Sequence, residues 1–554
     1  MIPTETIRLR ILHTSDVHGY VRGPLCRLAK YVEQCRSEMP DGVVLTDGGD
    51  VLQGTPTTYF YNIVRTDAEH LVAATMNRVG YDVATIGNHD IEQGHGVYDR
   101  WVSQCRFPVL GANVVREDTG EPYFAPYTVL HRRGLRIAVL GLLTPAIPYW
   151  VPRKQWSGLR FEDMVEAARK WIPLIRQREE PDMIIGLFHS GIEEQAGVRT
   201  EEYCENEVRQ VVRKVGGLDL VLYGHDHRRH IERLSDAYGN EILCIGPSST
   251  GAWLCEVEVE VQRREGRVVS LQTRGQLLPV GQLLDLEEAE EAESEWFPEA
   301  FEAVETYKQT VVGMLDSEVR EREAFFGPSA FINLLHDLQF ALCPEAQISF
   351  AAPLSFDAVI AAGPIRVADM YGLYKYENLL YTLRLSGREV LGFLEMSYDL
   401  WVNTMHSPDD HLLLLDYVFD NGRRLGLKNL AYNFEAAAGI CYTVDASKPD
   451  GQKVTILTME DGTPFDLDAE YLVVTNSYRG NGGGELLTRG AGIRLEELRR
   501  RLVASSEQDM RSLFIEHIRK QGHINPNRRD NWRFLPEEWA RAALARDRRI
   551  LFPK

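Results

Sequence analysis

Five short stretches of the 554-residue chain end in side chains that bind metals or move protons. They are ILHTSDVHG with Asp16 and His18, LTDGGDVLQG with Asp50, TIGNHDIEQG with Asn88 and His89, IGLFHSG with His189, and LYGHDH with His225 and His227. The set is imidazole, carboxylate and one amide, with no thiolate. It suits zinc, manganese, cobalt or iron better than the oxygen-only cages of calcium and magnesium. The seven candidate ligands, Asp16, His18, Asp50, Asn88, His189, His225 and His227, are too many for one catalytic ion with an open position. They suit two divalent ions roughly 3.5–4 Å apart that share a bridging carboxylate. Asp16 and Asp50 cancel half the charge of such a pair. Neutral histidines and a neutral Asn88 leave the rest to attract hydroxide and a phosphate oxygen.

Each stretch follows a short apolar run: IRLRIL, GVVLT, DVATI, DMIIGLF and LDLVLY. These runs alternate with helical patterns such as FEDMVEAARKWIPLIRQ, which is α/β organisation. In an open α/β sheet, ligands gather beyond the carboxyl ends of the strands, so five strand ends can converge on one point. Asp16 and His18 are two residues apart, as are His225 and His227. In extended chain, residues two apart face one side, so each pair is expected to serve one site. A lone histidine at a strand end is more often structural. The five together, each after a strand, are what point to chemistry.

The length predicts two domains with a helical connection. Hydrophobic residues make up 44% and charged residues 26% of the chain, which is ordinary for a globular protein. The net charge of -20 argues against a nucleic acid duplex or a membrane surface as partner. A small anionic substrate gathered by local cations fits better. No run of eighteen apolar residues predicts a membrane span. The start, MIPTETIRLRILHTSD, lacks a basic stretch followed by an apolar one. The expectation is therefore a cytoplasmic chain as given, or an extracytoplasmic one if a leader is removed. The eight cysteines are scattered without a C-x-x-C, which reads as buried thiols or an occasional disulfide. An acidic helical linker is expected at 284–311, between a domain at 1–283 and a second, mixed domain at 312–554. In the second domain, FINLLHDLQFAL and GREVLGFLEMSYDLW read as helices, and LLYTLRL and YLVVTN as strands. The tail from 500 reads as helix plus irregular segments.

The motifs DVHG, GGDVLQG, GNHDIEQG, FHSG and GHDH resemble those of the calcineurin-like metallophosphoesterases. The likeness is to the 5′-nucleotidase and 2′,3′-cyclic-nucleotide 2′-phosphodiesterase branch, and it runs along nearly the whole chain. It implies a four-layer αββα catalytic sandwich and a C-terminal α+β substrate-binding domain. It implies one ion on Asp16, His18, Asp50 and His227, and another on Asp50, Asn88, His189 and His225, with Asp50 bridging. His89 matches the catalytic histidine that stabilises phosphoryl charge or protonates the leaving oxygen. Glu92 stands where an acid orients that histidine, although aspartate is commoner there. Asp90 is given no chemistry.

In the second domain the resemblance implies a nucleoside stacked between Tyr376 and Tyr478, with Asn378 as the amide near the base. Stacking of this kind is worth about 1–3 kcal/mol per base. Arg479 is the candidate contact to phosphate or ribose, and Gly482 and Gly483 allow close backbone approach. Residues 349–363, SFAAPLSFDAVIAAG, lack the arginine clamp of typical 5′-nucleotidases. That stretch, with YENLLYTL, EMSYDLWVNTM, YNFEAAAGICYTVD and NWRFLP, looks more like the cyclic-phosphodiesterase/3′-nucleotidase branch. The rivals are a 5′-nucleotidase, a nucleotide-sugar or sulfur-oxidation hydrolase, and a nucleotide-binding sensor without catalysis. The complete ligand set speaks against the last.

Overall fold

The computed structural model describes residues 4–194, 197, 199, 204–284, 296–419, 423–526 and 529–553. The chain divides into two compact units, Met1–Glu305 and Thr306–Lys554.

Two six-stranded sheets build the first unit. One runs in the order Arg267–Pro279, Trp253–Arg264, Glu5–Thr14, Val43–Asp47, Val83–Thr85, Val109–Leu110. The other runs Arg229–Ser235, Glu241–Pro247, Leu220–Tyr223, Met183–His189, Leu135–Leu143, Tyr127–Arg132. The site-bearing strands are parallel neighbours within each sheet: Glu5–Thr14, Val43–Asp47 and Val83–Thr85 in one, Met183–His189 and Leu220–Tyr223 in the other. Each sheet therefore gathers its strand ends on one side.

The strands are apolar on both faces because both faces are covered. Ile11, Val44 and Val83 of the first sheet form a shared core with Val139, Ile185, Leu187 and Leu222 of the second. On the outer face of the second sheet, Ala138, Leu140, Ile184 and Val221 pack against Ala168, Ile172, Ile175, Val208 and Val212 of two helices, Met164–Glu179 and Val208–Lys214. Helix Cys26–Glu38 packs on strand Val43–Asp47 of the first sheet and against helix Leu71–Val79. The result is the αββα sandwich. Each fully buried Val, Leu or Ile contributes about 1.5–3 kcal/mol of transfer free energy.

The connector is described again from Trp296, and its acidic stretch 285–295 lies outside the described residues. The helix Pro298–Lys308 begins at its proline, where a missing N–H costs nothing. All eight cysteines are free.

The second unit centres on a five-stranded sheet ordered Ala436–Ala438, Ile348–Ala351, Glu470–Asn476, Leu379–Ser386, Leu502–Asp509. Helix Gly387–Trp401 starts at a capping box, with Ser386 and Glu389 exchanging side-chain and backbone hydrogen bonds. Its Phe393 stacks on Phe350 at 4.0 Å, and its Trp401 on Phe434 at 5.6 Å. The tail departs from expectation. Strand Leu502–Asp509 joins the central sheet, and Trp532–Leu535 pairs in parallel with Ile440–Asp445. The stretch NWRFLPEEW is thus a strand entering a helix, Glu537–Leu551. Its buried Trp532 and Phe534 belong to the core of the unit.

Candidate metal centre and aromatic site

The loops after the site-bearing strands turn through unusual backbone. Asp16, His18, Asp50, His225 and His227 all have positive φ, from +50° to +82°. For residues with a Cβ this costs roughly 1–2 kcal/mol each. Five such residues in one place mark strain held for function. Two glycines make the crowding feasible. A Cβ on Gly87 would lie 2.2 Å from Asp50 Oδ1, and one on Gly224 would lie 1.8 Å from Ser15 Oγ.

Two donor groups form. Asp16, His18 and His227 make one, and Asp50, His189 and His225 the other. His18 Nε2 lies 3.1 Å from His227 Nε2, which lies 3.3 Å from Asp16 Oδ1. In the other group, His189 Nε2 lies 3.1 Å from Asp50 Oδ2 and 3.0 Å from Asn88 Oδ1. Donors held 2.0–2.1 Å from one ion stand roughly 3.0–3.4 Å apart, so these separations suit a metal. Asp16 Oδ1 and Asp50 Oδ2 are buried and make no hydrogen bond among the described residues. Buried carboxylate oxygens left bare are costly unless a cation serves them. Burial opposes the ionisation of both, yet the surrounding histidines hold them well below the usual carboxylate range. Burial lowers His18 to about 4, so its ring stays neutral and able to ligate. The second nitrogens are occupied: His189 Nδ1 donates to Gly48 O at 2.6 Å and His18 Nδ1 to Gln53 O at 3.2 Å. That fixes the tautomers with Nε2 facing the groups. These residues fit divalent ions.

The H-x-H pair divides between the two groups, the same division that the resemblance implies. His227 joins Asp16 and His18, while His225 joins Asp50 and His189. Residues two apart face one side only in extended chain, and both of these have left-handed backbone, φ +82° and +56°. Asp16 and His18 do share a group, although they too are left-handed.

His89 lies at the rim of this cluster, about one-third exposed, its ring edge-on to His18 with centroids 5.4 Å apart. Its Nδ1 pairs with Glu92 Oε2 at 2.7 Å, one helical turn on. Burial works against a charged ring, but Asp50 and the Glu92 hydrogen bond raise its pKa to about 10. The Glu92 bond takes Nδ1 and leaves Nε2 as the ring's other nitrogen. Asp90, given no role from sequence, holds the scaffold. Its carboxylate accepts from the N–H groups of Asp50, Val51, Leu52 and Gly87, each at 2.9 Å. The available signal was an acid three residues after Gly87, where it can cap the helix Asn88–Glu92.

In the second unit, Tyr376 and Tyr478 are joined by a third ring that sequence reasoning missed. Tyr432 stands edge-on to Tyr376 at 6.4 Å and to Tyr478 at 6.1 Å, both nearly perpendicular. Tyr478 is 42% exposed and the other two are half-buried. Burial and the neighbouring phenols push Tyr376 up to about 12. Asn378 is half-buried, and its Nδ2 donates to Tyr374 Oη at 3.2 Å.

Arg479 does not face a ligand. It is 1% exposed and its guanidinium is filled from within the unit: Glu435 Oε1 at 2.8 Å, Tyr432 O at 2.9 Å, Asn433 Oδ1 at 3.2 Å, and Gly483 O. The expected phosphate or ribose contact gives way to a structural role, tying the Tyr432 and Tyr478 loops together. The glycines serve the same packing. A Cβ on Gly483 would lie 2.5 Å from the Tyr478 ring, and Gly482 turns the chain with φ +95°. Asn476 caps the short turn that presents Tyr478, accepting from Arg479 N–H at 2.8 Å.

With this geometry in view, comparison with known proteins places the chain. Residues 9–229 match the calcineurin-like phosphoesterases, and residues 307–489 match the 5′-nucleotidase C-terminal domain. The chain is 25% identical to the trifunctional nucleotide phosphoesterase protein YfkN of Bacillus subtilis over 96% of its own length, and spans 39% of that protein. It is 25% identical to the 2′,3′-cyclic-nucleotide 2′-phosphodiesterase/3′-nucleotidase of Haemophilus influenzae, covering 96% of this chain and 88% of that one. A Vibrio cholerae 5′-nucleotidase is 30% identical over 40% of each chain. The fold matches the crystal structure of a 5′-nucleotidase precursor from Thermus thermophilus, with TM-score 0.61 and 21% identity over 96% of this chain and 100% of that one. Two donor groups in an αββα sandwich, followed by the second domain that matches, identify the chain as a calcineurin-like metallophosphoesterase of the 5′-nucleotidase family, a phosphoric ester hydrolase.

Proposed function

We propose that this protein hydrolyses nucleotides, as a 2′,3′-cyclic-nucleotide 2′-phosphodiesterase/3′-nucleotidase using two divalent ions. The observation that carries the chemistry is the pair of adjacent donor groups beside the His89–Glu92 couple. Support for the substrate class comes from the three tyrosines and from relatives of that name matched along 96% of the chain. The 5′-nucleotidase likeness at 30% identity covers only 40% of it. The missing arginine in 349–363 points the same way.

In this reading Asp16, His18 and His227 hold one ion, and Asn88, His189 and His225 the other, with Asp50 between them. Ions bound there supply Lewis acidity toward phosphoryl oxygens and lower the pKa of water. The chain does the rest. Asp50 receives the His89 N–H on Oδ1 at 2.8 Å, which fixes the His89 backbone against the centre. His89 then delivers a proton, or a charged hydrogen bond, from Nε2 to the phosphoryl or leaving oxygen. Glu92 keeps that ring oriented. The tyrosines hold the base by stacking and edge contact, which tolerates different bases.

The test is a panel of 2′,3′-cyclic, 3′- and 5′-nucleotides assayed with manganese, cobalt or zinc. Turnover of cyclic diesters and 3′-monoesters above 5′-monoesters is expected. A clear 5′-monoester preference overturns the branch, and no turnover of any nucleotide overturns the substrate class.

A further inference from the structure

His225 differs from His189 and His18 in what lies behind it. The second nitrogens of His189 and His18 meet neutral backbone carbonyls, Gly48 O and Gln53 O. His225 Nε2 instead meets a carboxylate, Glu205 Oε1, at 2.9 Å. The pair is largely buried, with side chains 10% and 17% exposed. With Nε2 on Glu205, Nδ1 is the nitrogen left to face Asp50 and His189.

Glu205 is held for this contact. Its backbone carbonyl accepts from Ser190 Oγ and from Thr144 Oγ1, both at 2.8 Å. Its neighbour Asn206 accepts from Gly191 N–H at 3.0 Å, and Glu207 N–H donates to Ser190 Oγ at 2.9 Å. The segment is thereby tied to the residues just after His189. Gly197 leaves room for the carboxylate, since a Cβ there would lie 2.1 Å from Glu205 Oε2.

The charge count gives the contact a purpose. Beyond the shared Asp50, the group of His18 and His227 has its own carboxylate, Asp16. The group of His189 and His225 has the neutral Asn88 in that place. We propose that Glu205 is a positioning residue for the second ion, supplying through the His225 imidazole the negative charge that Asn88 withholds. A carboxylate on Nε2–H orients the ring and raises the basicity of Nδ1. The ion is then held firmly while no further anion blocks its open face. The inference rests on the two-ion reading above.

The experiment is titration of the metal-free protein with manganese, comparing the native chain with Glu205→Gln and Glu205→Ala, and with circular dichroism to check folding. The native protein is expected to bind two equivalents. Glu205→Gln keeps the shape and is expected to weaken one equivalent about 10–100-fold, leaving the other unchanged. Anomalous scattering from crystals at limiting manganese is expected to place the lost occupancy beside His225, not beside His227. Native affinity for both ions in folded Glu205→Gln overturns the proposal, as does equal weakening of both or loss beside His227. If the native protein binds fewer than two ions, the two-ion reading falls, and this proposal with it.

Discussion

The buried carboxylate of Asp90 holds the backbone of Asp50 in place: Oδ2 accepts the Asp50 N–H at 2.9 Å, and Oδ1 accepts the next two N–H groups. Asp50 has left-handed φ, +59°, and belongs to the donor group of His189 and His225, so its conformation must be imposed from outside. Replacing Asp90 with asparagine turns one acceptor oxygen into an NH₂ facing N–H donors. The expected cost is about 2–4 kcal/mol from the unsatisfied buried donors. Urea unfolding measures that, and metal titration is expected to show weaker binding although Asp90 touches no ion.

His89→Asn is expected to leave metal content unchanged while kcat falls about 10²- to 10⁴-fold, the usual worth of a positioned proton donor. Glu92→Gln is expected to give a smaller loss, because the ring remains but its orienting charge does not. Loss of metal in the His89 variant would make it a ligand instead.

Asn88→Asp adds a negative charge next to His189 Nε2, now 3.0 Å from the amide oxygen. Metal affinity is expected to rise and kcat to fall, because the added charge blunts the Lewis acidity. Asn88→Ala is expected to weaken metal binding and abolish turnover. Titration and steady-state assays on the two variants separate these effects.

Tyr432→Ala and Tyr478→Ala are expected to raise KM by about 5- to 150-fold, the equivalent of about 1–3 kcal/mol of stacking, with a smaller change in kcat. Arg479→Ala acts differently. It strands the buried carboxylate of Glu435 and is expected to destabilise the second unit by about 3–5 kcal/mol. A nucleotide-binding assay on folded protein, beside a denaturation curve, distinguishes contact from support.

Stability is expected to fall as pH drops from about 6.5 toward 3. Burial lowers both His336, in the second unit, and His70, in the first, to about 3. Each is neutral and hydrogen-bonded when folded, His336 Nδ1 to Ser349 Oγ at 2.8 Å and His70 Nε2 to Asn62 Oδ1 at 2.8 Å. The unfolded chain takes up the protons at its ordinary pKa of about 6.5, so acid favours unfolding. Each histidine contributes a slope of roughly 1.4 kcal/mol per pH unit in that window. His336→Gln is expected to flatten the slope for the second unit by about that amount, read from denaturation at several pH values.

The α/β architecture and the metal-capable residues are both legible along the chain. Both are local properties: an apolar run makes a buried strand, and the next few residues are its end. The His89–Glu92 pair came from the resemblance, and the helix Asn88–Glu92 sets the two residues one turn apart. What tertiary structure decided depends on backbone angles and distant partners. The resemblance already implied that His225 and His227 divide between two groups; what the fold adds is the means, a left-handed φ at both residues. Burial turns Arg479 from an expected substrate contact into a support, because four acceptors from distant loops saturate it. Tyr432 carries no motif and gains its place only when the loop around 432 folds beside Tyr478. Asp90 and Glu205 act through atoms 40 and 20 residues away, and no spacing in the sequence records a hydrogen bond across such a gap.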